Sequence, residues 1–162
     1  MPCQAANRTA KPMLFTGHSE HSIDAKLRLA VPKKYRAQWD PERDGTAWYC
    51  VPWPDEGLRL YTETTFEVLA DQSDQSLTPD SDVGQLEADL FGFAERLTED
   101  AQGRIPLPRL HVELTKLGSK VVIVGAKNRL EVRDHETWMA TQRERFEALP
   151  ELVARIGARK RQ

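Results

Sequence analysis

The sequence predicts an α+β fold in which two copies of one β-hairpin unit form a small pseudo-twofold barrel with helices outside it. Residues 24–32 recur at 100–108: in each copy an Asp precedes an Arg by four positions, an alternating apolar run follows, and a Pro lies four residues after the Arg. Residues 58–66 are matched in the same way by 130–138. Because each copy spans only about 45 residues, too few to bury a core alone, we expect the copies to interleave in one domain.

The composition suits one compact domain and gives no general attraction for polyanions. The chain has 162 residues, 40% of them apolar, and a formal net charge of −2. Binding to nucleic acid or to an anionic membrane would therefore need a local basic patch. No apolar run approaches the roughly 20 residues that span a bilayer, and no secretion signal is evident, so we expect a cytosolic protein and no membrane partner. Cys50 lies in an apolar strand pattern and is predicted to be a core residue.

The first repeat is predicted at residues 13–70, after a disordered extension over residues 1–12, which are polar and lack an apolar period. Alternation over 27–31 predicts a half-buried strand with its leucines and valine on one side. Residues 33–39 can form a short helical turn with Pro32 at its start, where a missing N–H has no cost.

A hairpin and a short helix complete this repeat. The β-branched and aromatic residues 48–51 and the run 58–61 flank a Pro-Asp-Glu-Gly sequence, which predicts two strands joined by a tight turn. A helix over 66–70 would follow, with Thr64 or Thr65 as its cap.

Residues 71–97 are predicted to form an acidic linker and helix. The segment 71–79 is rich in Ser, Asp and Gln and predicts a loop, and Ser81 can cap a helix whose apolar residues recur at helical spacing as far as Phe93. As far as Asp89 the acidic residues of this region, which has no Lys or Arg before Arg96, are Asp71, Asp74, Asp80, Asp82, Glu87 and Asp89.

The second repeat is predicted at residues 98–140 and follows the same order of strand, turn, helix and hairpin. Its strands are expected at 105–107, 121–124 and 130–132, with turn residues between the last two. Residues 141–162 are predicted to be the C-terminal helix and a basic tail. The helix already begins within the second repeat, at Glu136, and runs to about Ile156 with a break near Pro150. The basic tail follows at 159–161.

The candidate functional residues lie where the first strand of each repeat begins. Asp24 and Arg28, like Asp100 and Arg104, can pair to hold a turn, which is the purely structural interpretation. A matched guanidinium in both copies favours a second interpretation, because two spaced planar forks suit phosphates and the O6/N7 edge of guanine. Further phosphate contacts are predicted from basic neighbours in the sequence, which leave the second loop less basic than the first: Lys26, Lys33, Lys34 and Arg36 in copy one, and Arg109 in copy two.

At these residues the chain resembles the MraZ family of bacterial transcriptional regulators. The doubled Asp-x-x-x-Arg motif at 24–32 and 100–108 carries the resemblance, together with Phe15-Thr16-Gly17 and the segments 91–95 and 121–132, and it covers about residues 13–140. It implies a SpoVT/AbrB swapped-hairpin fold and a ring-like homo-oligomer associated with the nucleoid. That oligomer would bind repeated operator boxes in double-stranded DNA of the division and cell-wall gene cluster, through the loops at Arg28 and Arg104.

Three departures mark a divergent member of that family. Leu27 replaces the Gly expected before Arg28, and a branched side chain strains a left-handed turn, so the first loop is expected to be reshaped. The acidic linker would repel phosphates if it faced DNA. Arg133 stands where an aromatic residue is usual.

The alternative is an antitoxin-like or protein-interaction module of the same fold with weak or lost DNA binding, which Leu27 and the acidic linker favour. An enzyme is not predicted, since no Ser or Cys has an evident base partner and no Gly-rich phosphate loop follows a strand. His18 and His21 have no third ligand at a defined spacing, so no metal, cofactor or small-molecule ligand is predicted. The operator, the subunit count and the choice between repression and activation stay open.

Overall fold

The computed structural model describes residues 13–72 and 76–162. The predicted extension over residues 1–12, and residues 73–75 of the predicted linker loop, lie outside the described residues. Among the helices of the described ranges, none combines the length and the apolar character needed to cross a bilayer.

The elements of the first repeat begin with an edge strand that the sequence pattern did not predict. They are β1 His18–Ser22, β2 Arg28–Ala30, α1 Lys33–Arg36, α2 Pro41–Asp44, β3 Trp48–Trp53, β4 Gly57–Thr62 and α3 Glu63–Asp71. The linker and the second repeat comprise α4 Ser81–Phe93, β5 Glu95–Leu97, β6 Arg104–Pro106, α5 Arg109–Thr115, β7 Lys120–Gly125, β8 Leu130–Asp134 and α6 His135–Ala140. Two further helices follow, α7 Gln142–Glu147 and α8 Leu149–Lys160. The α+β class is thus as predicted, with antiparallel strand pairing.

The six-stranded sheet has the order β1-β7-β8-β4-β3-β5. This order is symmetric about its centre, because β1, β7 and β8 on one side match β5, β3 and β4 on the other. Its centre is the β4–β8 pair, where Leu58 lies opposite Val132 and Leu60 opposite Leu130. Outside that pair, each hairpin is extended by a strand from the other half of the chain, because β1 pairs with β7 and β5, at the end of the predicted linker, pairs with β3. The two repeats therefore share one sheet, and the core forms between them.

A two-stranded ribbon of β2 and β6 covers one face of this sheet. Leu29 lies opposite Ile105 at its centre, both fully buried, and they join one apolar cluster with sheet residues such as Leu58 and Leu60. Cys50 belongs to the same cluster, as predicted. Matched backbone bonds continue the ribbon at each end, from Val31 N to Gly103 O at 3.0 Å and from Leu107 N to Leu27 O at 2.7 Å.

The N-caps of two helices differ from the sequence prediction. Thr62, not Thr64 or Thr65, caps α3 by accepting from the Thr65 amide, since β4 runs directly into the helix. Asp80, not Ser81, caps α4 by accepting from the Asp82 amide.

The last helical region is divided differently from the prediction. Its breaks fall at Thr141 and Ala148 and not at Pro150, because a proline in the first turn of α8 interrupts no helical hydrogen bond. The predicted basic tail is the end of α8, which continues to Lys160.

Candidate nucleic-acid interface

The loop before β2 is held by one carboxylate. Asp24 Oδ1 accepts hydrogen bonds from the Lys26 amide at 2.9 Å and the Arg28 amide at 2.8 Å, and Oδ2 accepts from Arg28 Nε at 2.7 Å. The Asp24 amide in turn donates to the Arg28 carbonyl at 3.0 Å. With a further bond from the Leu27 amide to the Asp24 carbonyl at 2.9 Å, five bonds close a five-residue loop, and each of them involves Asp24.

The loop before β6 repeats this pattern atom for atom. Asp100 accepts from the Gln102 and Arg104 amides at 2.9 and 3.0 Å and from Arg104 Nε at 2.8 Å. The Asp100 amide donates to the Arg104 carbonyl at 2.8 Å. Arg104 Nη2 also lies 3.2 Å from Gln102 Oε1. The structural pairing expected from the four-residue spacing is present in both copies.

Leu27 does not reshape its loop, contrary to the prediction. It adopts the left-handed conformation at φ 58°, close to the 75° of its equivalent Gly103, and the Asp24 bonds match those of Asp100. Its side chain packs against the core. The loop bonds and this packing offset the steric strain, which is of the order of 1–2 kcal/mol for a left-handed residue with a side chain.

The two arginines share the outer face of the ribbon. Arg28 lies opposite Pro106 and Arg104 opposite Ala30, so these four side chains alternate with the buried Leu29 and Ile105. Diagonal neighbours on such a face lie about 7–8 Å apart. The side chains of Arg28 and Arg104 are 31% and 30% exposed. Each guanidinium thus uses its Nε inside the loop and keeps its Nη end at the surface.

The other predicted basic residues divide between the ends of the ribbon in an unexpected way. Lys26, Lys33, Lys34, Arg36 and Arg109 are all exposed. However, α1 begins beside the second loop, because Val31 bonds to Gly103 and Arg36 Nε lies 3.3 Å from Glu99 Oε2. The strand pairing therefore brings Arg36 of copy one to the loop of copy two, a neighbour that the local sequence charge did not indicate. Glu99, which sequence reasoning missed, has no motif that would have marked it.

The loop carboxylates stay ionised well into the acid range. The pKa of Asp24 is lowered by hydrogen bonds from the Arg28 amide and then from its side chain, with burial acting in the opposite direction. The pKa of Asp100 is lowered by the same contacts with Arg104. Asp and Arg in each loop thus remain a charged pair at neutral pH.

The acidic helices are anchored away from the ribbon. Tyr49 alternates with the core residues Trp48 and Cys50, so its ring is on the sheet face opposite the ribbon. Phe66 of α3 stacks on Tyr49 at 4.4 Å between ring centroids, and Phe91 of α4 contacts Phe66 at 5.9 Å. The repulsion of phosphates foreseen from the linker charge is reduced by this placement.

The histidines form no evident reaction centre. His135 Nε2 lies 2.8 Å from Glu20 Oε1 beside β1, and within the described ranges no three His, Cys, Asp or Glu residues gather as metal ligands would. His111 Nδ1 lies 3.4 Å from Cys50 Sγ, a contact that the sequence did not indicate. Burial raises the pKa of the Cys50 thiol far above its ordinary value, so it is not a nucleophile.

Comparison with known proteins gives one consistent family. Residues 90–155 match the family model described as "MraZ protein, putative antitoxin-like". Three proteins named "Transcriptional regulator MraZ" are similar over most of the chain. The protein of Hydrogenovibrio crunogenus is 28% identical over 136 residues, 84% of this chain and 90% of that protein. That of Pseudomonas syringae pv. syringae is 30% identical over 127 residues (78% and 84%), and that of Roseiflexus sp. 31% over 125 residues (77% and 84%).

Proposed function

The chain belongs to the MraZ family, and from this we propose that it is a non-enzymatic transcriptional regulator that binds double-stranded DNA as a homo-oligomer. The similar proteins carry the name transcriptional regulator. The swapped-hairpin assignment within the SpoVT/AbrB class is part of this proposal, and the exchange of β1 and β5 between repeats supports it. Its place would be the cytoplasm, on the nucleoid.

The observation that carries the proposal is the pair of equivalent loops on one ribbon face. Asp24 and Asp100 would hold the loop shape, and Arg28 and Arg104 would turn their Nη ends to guanine edges or phosphates, with Arg104 Nη2 giving up its contact with Gln102 Oε1. A fork fixed at Nε by a carboxylate loses less conformational freedom on binding than a free side chain, which favours base recognition over loose charge attraction. Phosphate contacts would come from exposed cations near the ribbon: Lys26, Lys33, Lys34, Arg36 and Arg109.

Charge alone makes an assembly necessary for useful affinity. With a net charge of −2, one copy offers only a few phosphate contacts, and each neutralised phosphate adds roughly 0.9 to the salt slope of binding. Copies joined in one assembly engage successive operator boxes at high effective concentration. A ring-like oligomer on repeated boxes upstream of the division and cell-wall genes fits this requirement.

The second candidate is an antitoxin-like module whose main partner is a protein. The description of the matched family supports it, as does the acidic character of α3 and α4. The other argument for this module was a first loop reshaped by Leu27. That argument fails, because Leu27 leaves the Arg28 loop equivalent to the Arg104 loop.

The test is salt-dependent binding to the DNA upstream of the protein's own gene. We expect Arg28→Ala with Arg104→Ala to weaken binding on the order of 100-fold or more, since each bidentate base contact contributes about 1–3 kcal/mol. Lys120→Ala with Arg143→Ala removes equal charge from exposed residues outside the ribbon and should have a small effect. Arg28→Lys with Arg104→Lys keeps the charge but not the fork, and should resemble the alanine pair.

Equal binding by the wild type and the double alanine variant would contradict the DNA-binding proposal. Binding by the lysine pair at wild-type strength would show that charge and not fork geometry matters, against the base-recognition role. Thermal unfolding of each variant checks that the loops alone have changed.

A further inference from the structure

Helix α8 carries an apolar stripe that this chain leaves uncovered. Leu149, Leu152, Val153 and Ile156 recur at positions 0, 3, 4 and 7, the spacing of one helix face. All four are exposed, Val153 by 69%, and no residue of α8 is buried. A 12-residue helix with no packed face is marginal in water. The sequence of α8 thus suits a helix that docks on another surface.

The same chain carries a second helix with exposed apolar residues and the opposite charge. Helix α4 also has no buried residue, and Leu86 and Phe93 on its apolar side are exposed by 57% and 41%. Between Asp80 and Glu95 there is no cation, whereas the acidic residues number five: Asp80, Asp82, Glu87, Asp89 and Glu95. Beyond Glu151, α8 and the residue after it have only cations: Arg155, Arg159, Lys160 and Arg161.

We propose that α8 of one copy docks along α4 of the next copy, joining a basic apolar stripe to an acidic apolar stripe. An antiparallel arrangement sets the cationic last turn of α8 beside Asp82 in the first turn of α4. The occupant is a second copy because both complementary surfaces belong to this chain and are separately exposed. This inference deepens the homo-oligomeric state proposed above and rests on it.

The interface is heterologous, because the donor and acceptor surfaces differ. Each copy has one donor helix and one acceptor helix, so copies join head to tail and close into a ring or extend as a filament. This property makes mixing experiments decisive, since a copy that lacks its donor can still accept.

The experiment uses the full chain with a glutamate on either stripe, and sedimentation velocity as the readout. Val153→Glu disables the donor and Leu86→Glu the acceptor, and both sites are exposed enough to leave the fold intact. We expect each variant alone to be monomeric and an equimolar mixture to give a dimer and nothing larger. Leu77→Glu, an exposed leucine in the linker outside both helices, is the matched control and should keep the wild-type mass.

A charge exchange supplies an independent check. Arg159→Glu and Asp82→Lys should each weaken assembly, with the dissociation constant raised roughly tenfold or more, and the double variant should recover it. The variant with Arg28→Ala and Arg104→Ala should assemble normally, so a failure of DNA binding and a failure of this interface are distinguishable.

Three results would overturn the inference. The first is wild-type mass for Val153→Glu. The second is dimer formation by Leu86→Glu alone, which would mean that α8 pairs with itself. The third is a wild-type protein that is monomeric and cosediments with anionic phospholipid vesicles, with this binding lost in Val153→Glu. That result would make α8 a membrane-surface helix.

Discussion

Tyr35 and His111 occupy equivalent positions of the two repeats, and each contacts backbone carbonyls of the segment before it. Tyr35 Oη lies 2.9 Å from Thr16 O and 3.1 Å from Gly17 O, and His111 Nε2 lies 2.6 Å from Phe93 O, the equivalent of Gly17. A carbonyl only accepts, so the proton of neutral His111 is on Nε2, and Nδ1 faces the thiol of Cys50. One repeat thus uses a phenol where the other uses an imidazole, and only the imidazole titrates near neutral pH.

This difference predicts an acid-sensitive contribution from the second repeat. Burial lowers the pKa of His111, although the Phe93 carbonyl and Glu95 act in the opposite direction. The unfolded chain therefore binds the proton more readily, and the free energy of unfolding should fall as the pH drops below about 6.5 toward the lowered pKa. His111→Gln, which keeps a donor but does not titrate, should reduce this dependence in urea unfolding between pH 5 and 8.

The pKa of His21 is also lowered by burial and by Lys34, so some dependence of the same sign should persist in His111→Gln. The difference between the two unfolding curves is the contribution of His111. Parallel curves for the wild type and the variant would contradict a titrating His111.

Gly103 and Gly57 should tolerate a methyl group very differently. A Cβ at Gly103 would overlap Arg36 Cζ, the mobile end of a side chain, whereas one at Gly57 would overlap the Val132 carbonyl oxygen in the central strand pair. Gly103→Ala should therefore cost about 1–2 kcal/mol, mainly from its left-handed backbone, and Gly57→Ala considerably more.

Chemical denaturation measures both costs, and Arg36→Ala combined with Gly103→Ala isolates the side-chain contact. The double variant should be no less stable than expected from the two single changes. A Gly57→Ala protein as stable as Gly103→Ala would be inconsistent with the close approach of Val132.

Glu131 is expected to be the most important charged residue for stability. It is 5% exposed and pairs with Arg129 at 2.8 Å and Arg133 at 2.6 Å. Burial raises its pKa, but the hydrogen bond and charge of Arg133, with the charge of Arg129, outweigh burial, and the net pKa is lowered. Glu131→Gln leaves two arginines without a carboxylate and should cost about 3 kcal/mol at neutral pH.

Its more exposed neighbour Glu56, paired with Arg59 at 2.8 Å, is the control: Glu56→Gln should cost no more than about 1 kcal/mol. Because the folded pKa of Glu131 is lowered, its contribution is present above the ordinary value of 4.5 and is lost as the pH falls through the folded value. Equal costs for the two variants in urea unfolding at pH 7 would refute the special role of Glu131.

The two Asp–Arg loops should open only under strongly acidic conditions. The amides of Arg28 and Arg104 donate to carboxylates whose pKa is lowered from 3.8. Both loops should keep their geometry above pH 3.8 and lose it as the pH falls through the lowered pKa. The amide proton shifts of Arg28 and Arg104 report this in a titration followed by nuclear magnetic resonance. Midpoints at or above 3.8 would argue against the bonded loops.

Both Asp-x-x-x-Arg loops and both hairpins were predictable, because their patterns of side chains occur twice in the sequence. The sequence did not predict β1, since His18–Ser22 has no apolar alternation that would mark it as a strand beside β7. Thr62 was overlooked as a cap because it also ends a strand.

In the candidate interface, the pairing of each Asp with its Arg was predictable from their four-residue spacing, and the spatial grouping of the other cations was not. The prediction of a reshaped Leu27 loop considered strain alone, without the hydrogen bonds of Asp24 that offset it. Local counting assigned Arg36 to the first loop, whereas strand exchange brings it to Gly103 and Glu99. Such non-local neighbours follow from the pairing of the two repeats and not from any spacing along the chain.

The polar character of β1 has a consequence during synthesis. His18 is made 106 residues before its partner Val124, which at about 5–20 residues per second is a wait of roughly 5–20 s. An apolar strand with unpaired edges would be an aggregation hazard over that interval. We expect the nascent segment to stay protease-sensitive until β7 has left the ribosome. Because its histidine, serine and glutamate side chains are polar, the unpaired strand stays solvated and does not aggregate during that time.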